Sequence, residues 1–181
     1  MRRQFFTLNI PNALTALRVL LIPAFVWTYY NMPDPRAALL IFLIADVTDF
    51  FDGYLARKWD QITAFGKLMD PLADKLMTLA VLFCLASTGH LAWWVFYVVL
   101  IKEALMVAGS LVMLKRRVVV MANMAGKLAT FAFNLAIFAL YPWHDYTWLR
   151  SAGEAVMYLA VALSLYAMVI YGRNAFFTNK N

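Results

Sequence analysis

Charge is scarce in this chain: 14% of its 181 residues are Asp, Glu, Lys or Arg, while 64% are hydrophobic. That excludes an ordinary soluble domain, and apolar runs recur from end to end, as in a polytopic helical membrane protein. A single cysteine, Cys84, excludes an intrachain disulfide and reads as a small buried apolar residue. The two histidines, His90 and His144, fall in loops on the opposite side from the acidic residues described below, so neither is expected to be catalytic. No cleavable signal peptide is expected either, because the residues after the basic start at Met1, Arg2 and Arg3 are mixed and Arg18 interrupts the first apolar run. The net charge of +6 is distributed as on a protein that meets a membrane surface rather than a nucleic acid.

The apolar runs predict an all-α integral membrane protein of one domain, residues 1–181, with six transmembrane helices. The spans fall at about Ala13–Tyr30, Ala37–Arg57, Leu72–Ser87, Leu91–Leu114, Lys127–Tyr141 and Gly153–Tyr171. Arg2 to Ile10 forms a basic, aromatic interfacial segment ahead of them. Pro11 and Asn12 punctuate the chain, with Asn12 a candidate N-cap for the first span. Breaks follow at Asn31–Pro35, Thr88–His90 and Pro142–Asp145. Six spans put both termini on one side. That side carries Arg2, Arg3, Arg57, Lys58, Lys67, Lys75, Lys115, Arg116, Arg117, Lys127, Arg173 and Lys180, against Arg36 and Arg150 on the other. The positive-inside rule therefore predicts a multi-pass protein of the cytoplasmic membrane with both termini in the cytoplasm. Trp143 and Trp148 in the last outer loop, with Trp93 and Trp94 near the loop before span four, read equally as an outer aromatic belt or as packing residues.

One stretch does not fit a purely structural role. It runs Asp49-Phe50-Phe51-Asp52-Gly53-Tyr54-Leu55-Ala56-Arg57 and resumes at Gly66-Lys67-Leu68-Met69-Asp70-Pro71-Leu72-Ala73-Asp74. Spacings of three and four put Asp49 with Asp52, and Asp70 with Asp74, on one helix face each. An ionised carboxylate near hydrocarbon is costly, and four together repel unless protons or cations neutralise them. Hard carboxylate oxygens suit Mg²⁺ or Mn²⁺, and two such ions balance four charges. Asp49 lies about 12 residues, or ~18 Å, from the outer end of its span, which puts both pairs in the cytoplasmic half. Gly53, Ala56 and Gly66 permit close approach of either a helix or a ligand. Arg57 either snorkels from a helix end or holds a phosphate. Asp46, one turn deeper, either pairs with Arg18 or Lys102 or sits protonated, and Glu103 reads as the ion-pair partner of Lys102.

The pattern D-x2-D-G-x2-A-R-x8-G-x3-D-x3-D over residues 49–74 resembles that of the CDP-alcohol phosphatidyltransferases. The resemblance extends to Asn9–Arg18, to Thr48–Leu76 and to Ala125-Gly126-Lys127, closest to the branch whose acceptor is glycerol 3-phosphate. It departs from that branch at Lys102-Glu103, where Arg-Glu is usual, and in the span that follows. The resemblance implies a homodimeric enzyme using two divalent cations, Mg²⁺ or Mn²⁺. It would transfer a phosphatidyl group from CDP-diacylglycerol to the acceptor and release CMP.

Residue by residue, it implies that Asp49, Asp52, Asp70 and Asp74 hold the cations and that Asp74 is also the general base. Asp52, Gly53, Ala56, Arg57 and Gly66 would line the CDP-diacylglycerol site, with Asn12 and Thr48 contributing less. Lys127, with Arg116, Arg117 and Lys75, would take the acceptor's phosphate, although Lys115-Arg116-Arg117 is equally an anchor at anionic headgroups. The nearest alternative keeps the chemistry and changes the acceptor, to phosphatidylglycerol, inositol phosphate or serine. A cation transporter would use the same acidic cluster differently, but it would place the cluster at the midplane among broken helices. A purely structural membrane protein leaves the carboxylates unexplained.

Overall fold

The computed structural model describes residues 10–58, 64–115, 124–140 and 146–177. The described residues form six helices and no strand: α1 (Ile10–Asn31), α2 (Pro35–Lys58), α3 (Ala64–Ser87), α4 (Trp93–Lys115), α5 (Met124–Leu140) and α6 (Thr147–Phe177). They group into two compact units, Met1–Cys84 and Leu85–Asn181, whose boundary falls within α3. The interfacial segment expected at residues 2–9 lies outside the described residues.

In the first unit α1 and α2 form an antiparallel pair joined by Met32, Pro33 and Asp34. Thr15, Arg18, Phe25 and Thr28 recur at helical spacing along α1 and are buried. On α2 the buried residues are Ala38, Leu39, Phe42 and Ala45, and the step of four from Ala45 continues that row to Asp49. Both α1 and α2 start with proline in the first turn, where the missing N–H has no intrahelical partner to lose. Asp34 caps α2: its Oδ1 accepts from the Arg36 backbone N–H at 2.9 Å. The start of α1 corrects one expectation. The helix already includes Pro11 and Asn12, so Asn12 is an intrahelical residue and not the N-cap.

In the second unit α5 and α6 pack most extensively. Ala129, Ala132, Phe133, Ala136, Ile137 and Leu140 are buried on α5, and Met157, Ala160, Val161, Ser164 and Ala167 on α6. Small residues let the backbones approach, and Gly153 is the tightest point: an added Cβ would lie 3.0 Å from Leu140 Cγ and 3.1 Å from Ala139 Cβ. The chain turns out of α3 through Gly89, which has φ +76°. There the Gly89 N–H donates to the Ala86 carbonyl at 3.2 Å, and the His90 N–H to the Leu85 carbonyl at 2.9 Å. These paired bonds make a Schellman cap, which favours glycine at the left-handed position. His90 thus belongs to the helix stop after α3.

Among the described residues three helices are long and apolar enough to cross a membrane, over Ala13–Asn31, Trp93–Ser110 and Thr147–Asn174, and α5 is a shorter apolar helix of 17 residues. Large apolar side chains point outward on them, Leu20 at 68% exposure and Phe131 at 69% among others, which suits lipid and not water. α2 carries Asp46, Asp49 and Asp52, and α3 carries Asp70 and Asp74. α6 is longer than expected, 31 residues or ~46 Å, so Trp148 and Arg150 are helical and not in the preceding loop. α3 also begins earlier than expected, at Ala64, so Gly66 and Asp70 are helical residues. Trp94 stacks on Tyr158 with ring centroids 5.4 Å apart, a packing contact that a belt residue need not make.

The Gly153 contact sets the fit of α5 on α6. Gly153→Val should lower thermal stability in detergent by ~1–3 kcal/mol through overpacking. Gly172→Ala, where an added Cβ meets nothing within 4 Å, should leave the transition unchanged in the same assay.

Candidate active site

The four aspartates of the motif lie on consecutive helices, Asp49 and Asp52 on α2 and Asp70 and Asp74 on α3, with only residues 59–63 between the helices. The helical backbone preserves the spacings of three and four, so each pair occupies adjoining turns of one face. The side chains of Asp52, Gly53, Ala56, Arg57, Gly66 and Asp70, and that of Asn12, lie outside the described residues. Among the described residues no group of three or more His, Cys, Asp or Glu side chains converges. Asp49 and Asp74 are the described members of the acidic set, and both are partly exposed. Their hard oxygens on partly accessible side chains fit a Mg²⁺ or Mn²⁺ donor set.

Asp49 is paired with a residue of α1. The guanidinium of Arg18 on α1 lies with Nη1 2.6 Å from Asp49 Oδ1. The two side chains are unequal in their surroundings: Arg18 is 1% exposed and Asp49 42%. A fully buried cation needs an anion beside it, because desolvation costs several kcal/mol that only a close partner offsets. Asp46 and Asp49 are one turn apart, and the packing of α1 on α2 brings Arg18 to Asp49. On the sequence alone Arg18 stands out only as a charge interrupting an apolar run. Its connection to the acidic motif comes from tertiary packing.

The remaining candidates separate into two groups. Thr48 donates its hydroxyl to the Ile44 carbonyl one turn back, an ordinary arrangement for a helical threonine. Lys75 follows Asp74 on α3 and is partly exposed. Lys127 lies in the first turn of α5, in the second unit, and its side chain is exposed. Arg116 and Arg117 lie outside the described residues, as does His144. Lys102 pairs with Glu103 on α4, as expected. Arg150 bonds Glu154 at 3.1 Å and the Gly89 carbonyl at 3.3 Å, which ties α6 to the turn after α3. That exposed pair contributes little to stability.

The inequality of the Arg18–Asp49 pair sets the outcome of breaking it from the acidic side. Asp49→Asn removes the anion opposite a buried guanidinium. It should destabilise the protein by about 2 kcal/mol, below the 3–5 kcal/mol typical of fully buried pairs because Asp49 is partly hydrated. Thermal unfolding in detergent measures this.

Comparison with known proteins bears on the whole of this arrangement. Residues 8–166 match the family model described as CDP-alcohol phosphatidyltransferase, a match that encloses the acidic motif. The chain is 38% identical to the CDP-diacylglycerol–glycerol-3-phosphate 3-phosphatidyltransferase of Escherichia coli over 175 residues, covering 90% of this chain and 92% of that protein. Proteins of the same name from Shigella sonnei and Shigella boydii match at the same identity and coverage.

Proposed function

The chain belongs to the CDP-alcohol phosphatidyltransferase family, and from that premise we propose that it transfers the phosphatidyl group of CDP-diacylglycerol to glycerol 3-phosphate, giving phosphatidylglycerophosphate and CMP in phospholipid synthesis. The observation that carries this reading is the placement of the full acidic motif on two successive helices within a family match spanning residues 8–166. The relatives' printed activity supports glycerol 3-phosphate as the acceptor. The continuous match also supports a single catalytic domain, since it runs unbroken through the boundary within α3.

In this reading α1 to α6 all span the membrane. Both termini are cytoplasmic, and the acidic site opens in the cytoplasmic half, where a lipid headgroup and a soluble phosphate ester can meet. The asymmetry of Lys and Arg between the two sides supports that orientation. The enzyme works as a homodimer.

Asp49, Asp52, Asp70 and Asp74 would hold two divalent cations, Mg²⁺ or Mn²⁺. Bound there, the cations supply neutralisation of the charge on the pyrophosphate and on departing CMP. Asp74 accepts the proton of the acceptor's hydroxyl as its oxygen bonds to the phosphatidyl phosphorus and the phosphorus–oxygen bond to CMP breaks. Asp52, Gly53, Ala56, Arg57 and Gly66 line the nucleotide site, the small residues allowing close approach and Arg57 supplying charge. Asn12 and Thr48 contribute at its edge. Lys127 binds the acceptor's phosphate, with Lys75, Arg116 and Arg117 adding positive charge nearby. The first-turn position and exposure of Lys127 on α5 support this role.

CMP release by purified protein in detergent, with CDP-diacylglycerol and Mn²⁺ or Mg²⁺, tests the reaction. Release should require glycerol 3-phosphate, stop on chelation of the cation and be lost in Asp74→Asn. Release with phosphatidylglycerol or another alcohol instead would overturn the acceptor. Lys127→Ala should raise the KM for glycerol 3-phosphate at least tenfold, the loss of roughly 1.4 kcal/mol of charge-assisted binding, with little change for CDP-diacylglycerol. Equal shifts for both substrates would remove Lys127 from the acceptor site.

A further inference from the structure

We infer that Arg18, buried in α1, is the positioning residue for Asp49 and thereby sets the affinity of the acidic site for divalent cations. The inference rests on the reading of Asp49 as a cation ligand given above. Its own support is geometric. Arg18 Nη1 lies 2.6 Å from Asp49 Oδ1, an ion pair between two different helices.

The unequal burial gives the pair a direction. At 1% exposure the guanidinium is enclosed by the packing of α1 and α2, whereas the carboxylate at 42% exposure still presents part of its surface outward. A carboxylate offers about four lone-pair sites, more than one ion pair uses. A buried guanidinium paired with Asp49 from the neighbouring helix restricts where that carboxylate can go. Holding the carboxylate in place before a cation arrives lowers the side-chain ordering that binding would otherwise require. Groups outside the coordination shell that orient metal ligands typically change metal affinity by 10- to 100-fold when removed.

The same inequality makes the idea testable. Truncating Arg18 leaves a carboxylate that water can reach, unlike truncating Asp49, which strands a buried cation. Arg18→Gln is therefore expected to fold. Mn²⁺ binding to the purified protein in detergent, without substrate, is followed by the loss of the free-ion electron paramagnetic resonance signal. The half-saturating Mn²⁺ concentration should rise about 10- to 100-fold in Arg18→Gln, and severalfold in Arg18→Lys, which keeps the charge and loses the fork. The Mn²⁺ dependence of CMP release should shift in parallel, with a smaller change in KM for glycerol 3-phosphate.

A lower thermal transition with unchanged Mn²⁺ half-saturation in both variants would make the pair merely structural and overturn the proposal. A fall in half-saturation would overturn it too, since Arg18 would then oppose the cation. If Arg18→Gln does not fold, Arg18→Lys decides: a severalfold rise supports the role and no rise removes it. Wild-type protein that binds no Mn²⁺ and releases no CMP would overturn the reading of the site itself. Wild-type binding with unshifted variants overturns only the role of Arg18.

Discussion

A buried arginine beside a half-buried aspartate is the interaction on which the acidic half of this protein depends. Charge in a low-dielectric interior is tolerated only in close company. Arg18 on α1 and Asp49 on α2 provide that company across the first helix pair. The row of small and apolar side chains along α2 packs on α1, and the next residue on the same row, Asp49, is partly exposed. The cation lies inside and the carboxylate at the margin.

The rest of the fold is organised by the same economy of polar groups. Away from the acidic motif, Lys102 is paired with Glu103, Asp34 starts α2, and hydroxyls such as Ser110 and Thr130 donate to carbonyls one turn back. The second unit contains little charge and relies on close α5–α6 packing, made possible by alanines and Gly153. Apolar side chains face outward in numbers that water would penalise, on α2 (Leu40, Ile44 and Val47) as well as on α1, α4, α5 and α6. Among the apolar residues of α2 and α3 stand the aspartates of the motif.

Family membership gives this physical arrangement a reaction. Phosphoryl transfer asks the protein mainly for positioning and for charge stabilisation, with little covalent chemistry of its own. In the proposed reading, the carboxylates carried by two consecutive helices would answer that demand.

Much of this was legible in the chain itself. Long apolar runs marked helices, and the ends of α3 and α4 fell within two residues of the apolar pattern wherever a glycine turn or a basic residue closed the run. The acidic motif was visible because its helical spacings and its cost in hydrocarbon are local properties. Helix starts were less legible. Proline in a first turn reads as a break from sequence, yet it is compatible with helix, which is why Asn12 lies inside α1. Likewise α6 runs through Trp148 and Arg150 because a helix that leaves the apolar zone keeps its backbone hydrogen bonds and needs no new apolar residues. What sequence determined, then, was which residues carry charge and how they are spaced along each helix. The partner of Arg18 was decided only in three dimensions, because ion pairing between helices depends on their relative register, a quantity that no local spacing contains.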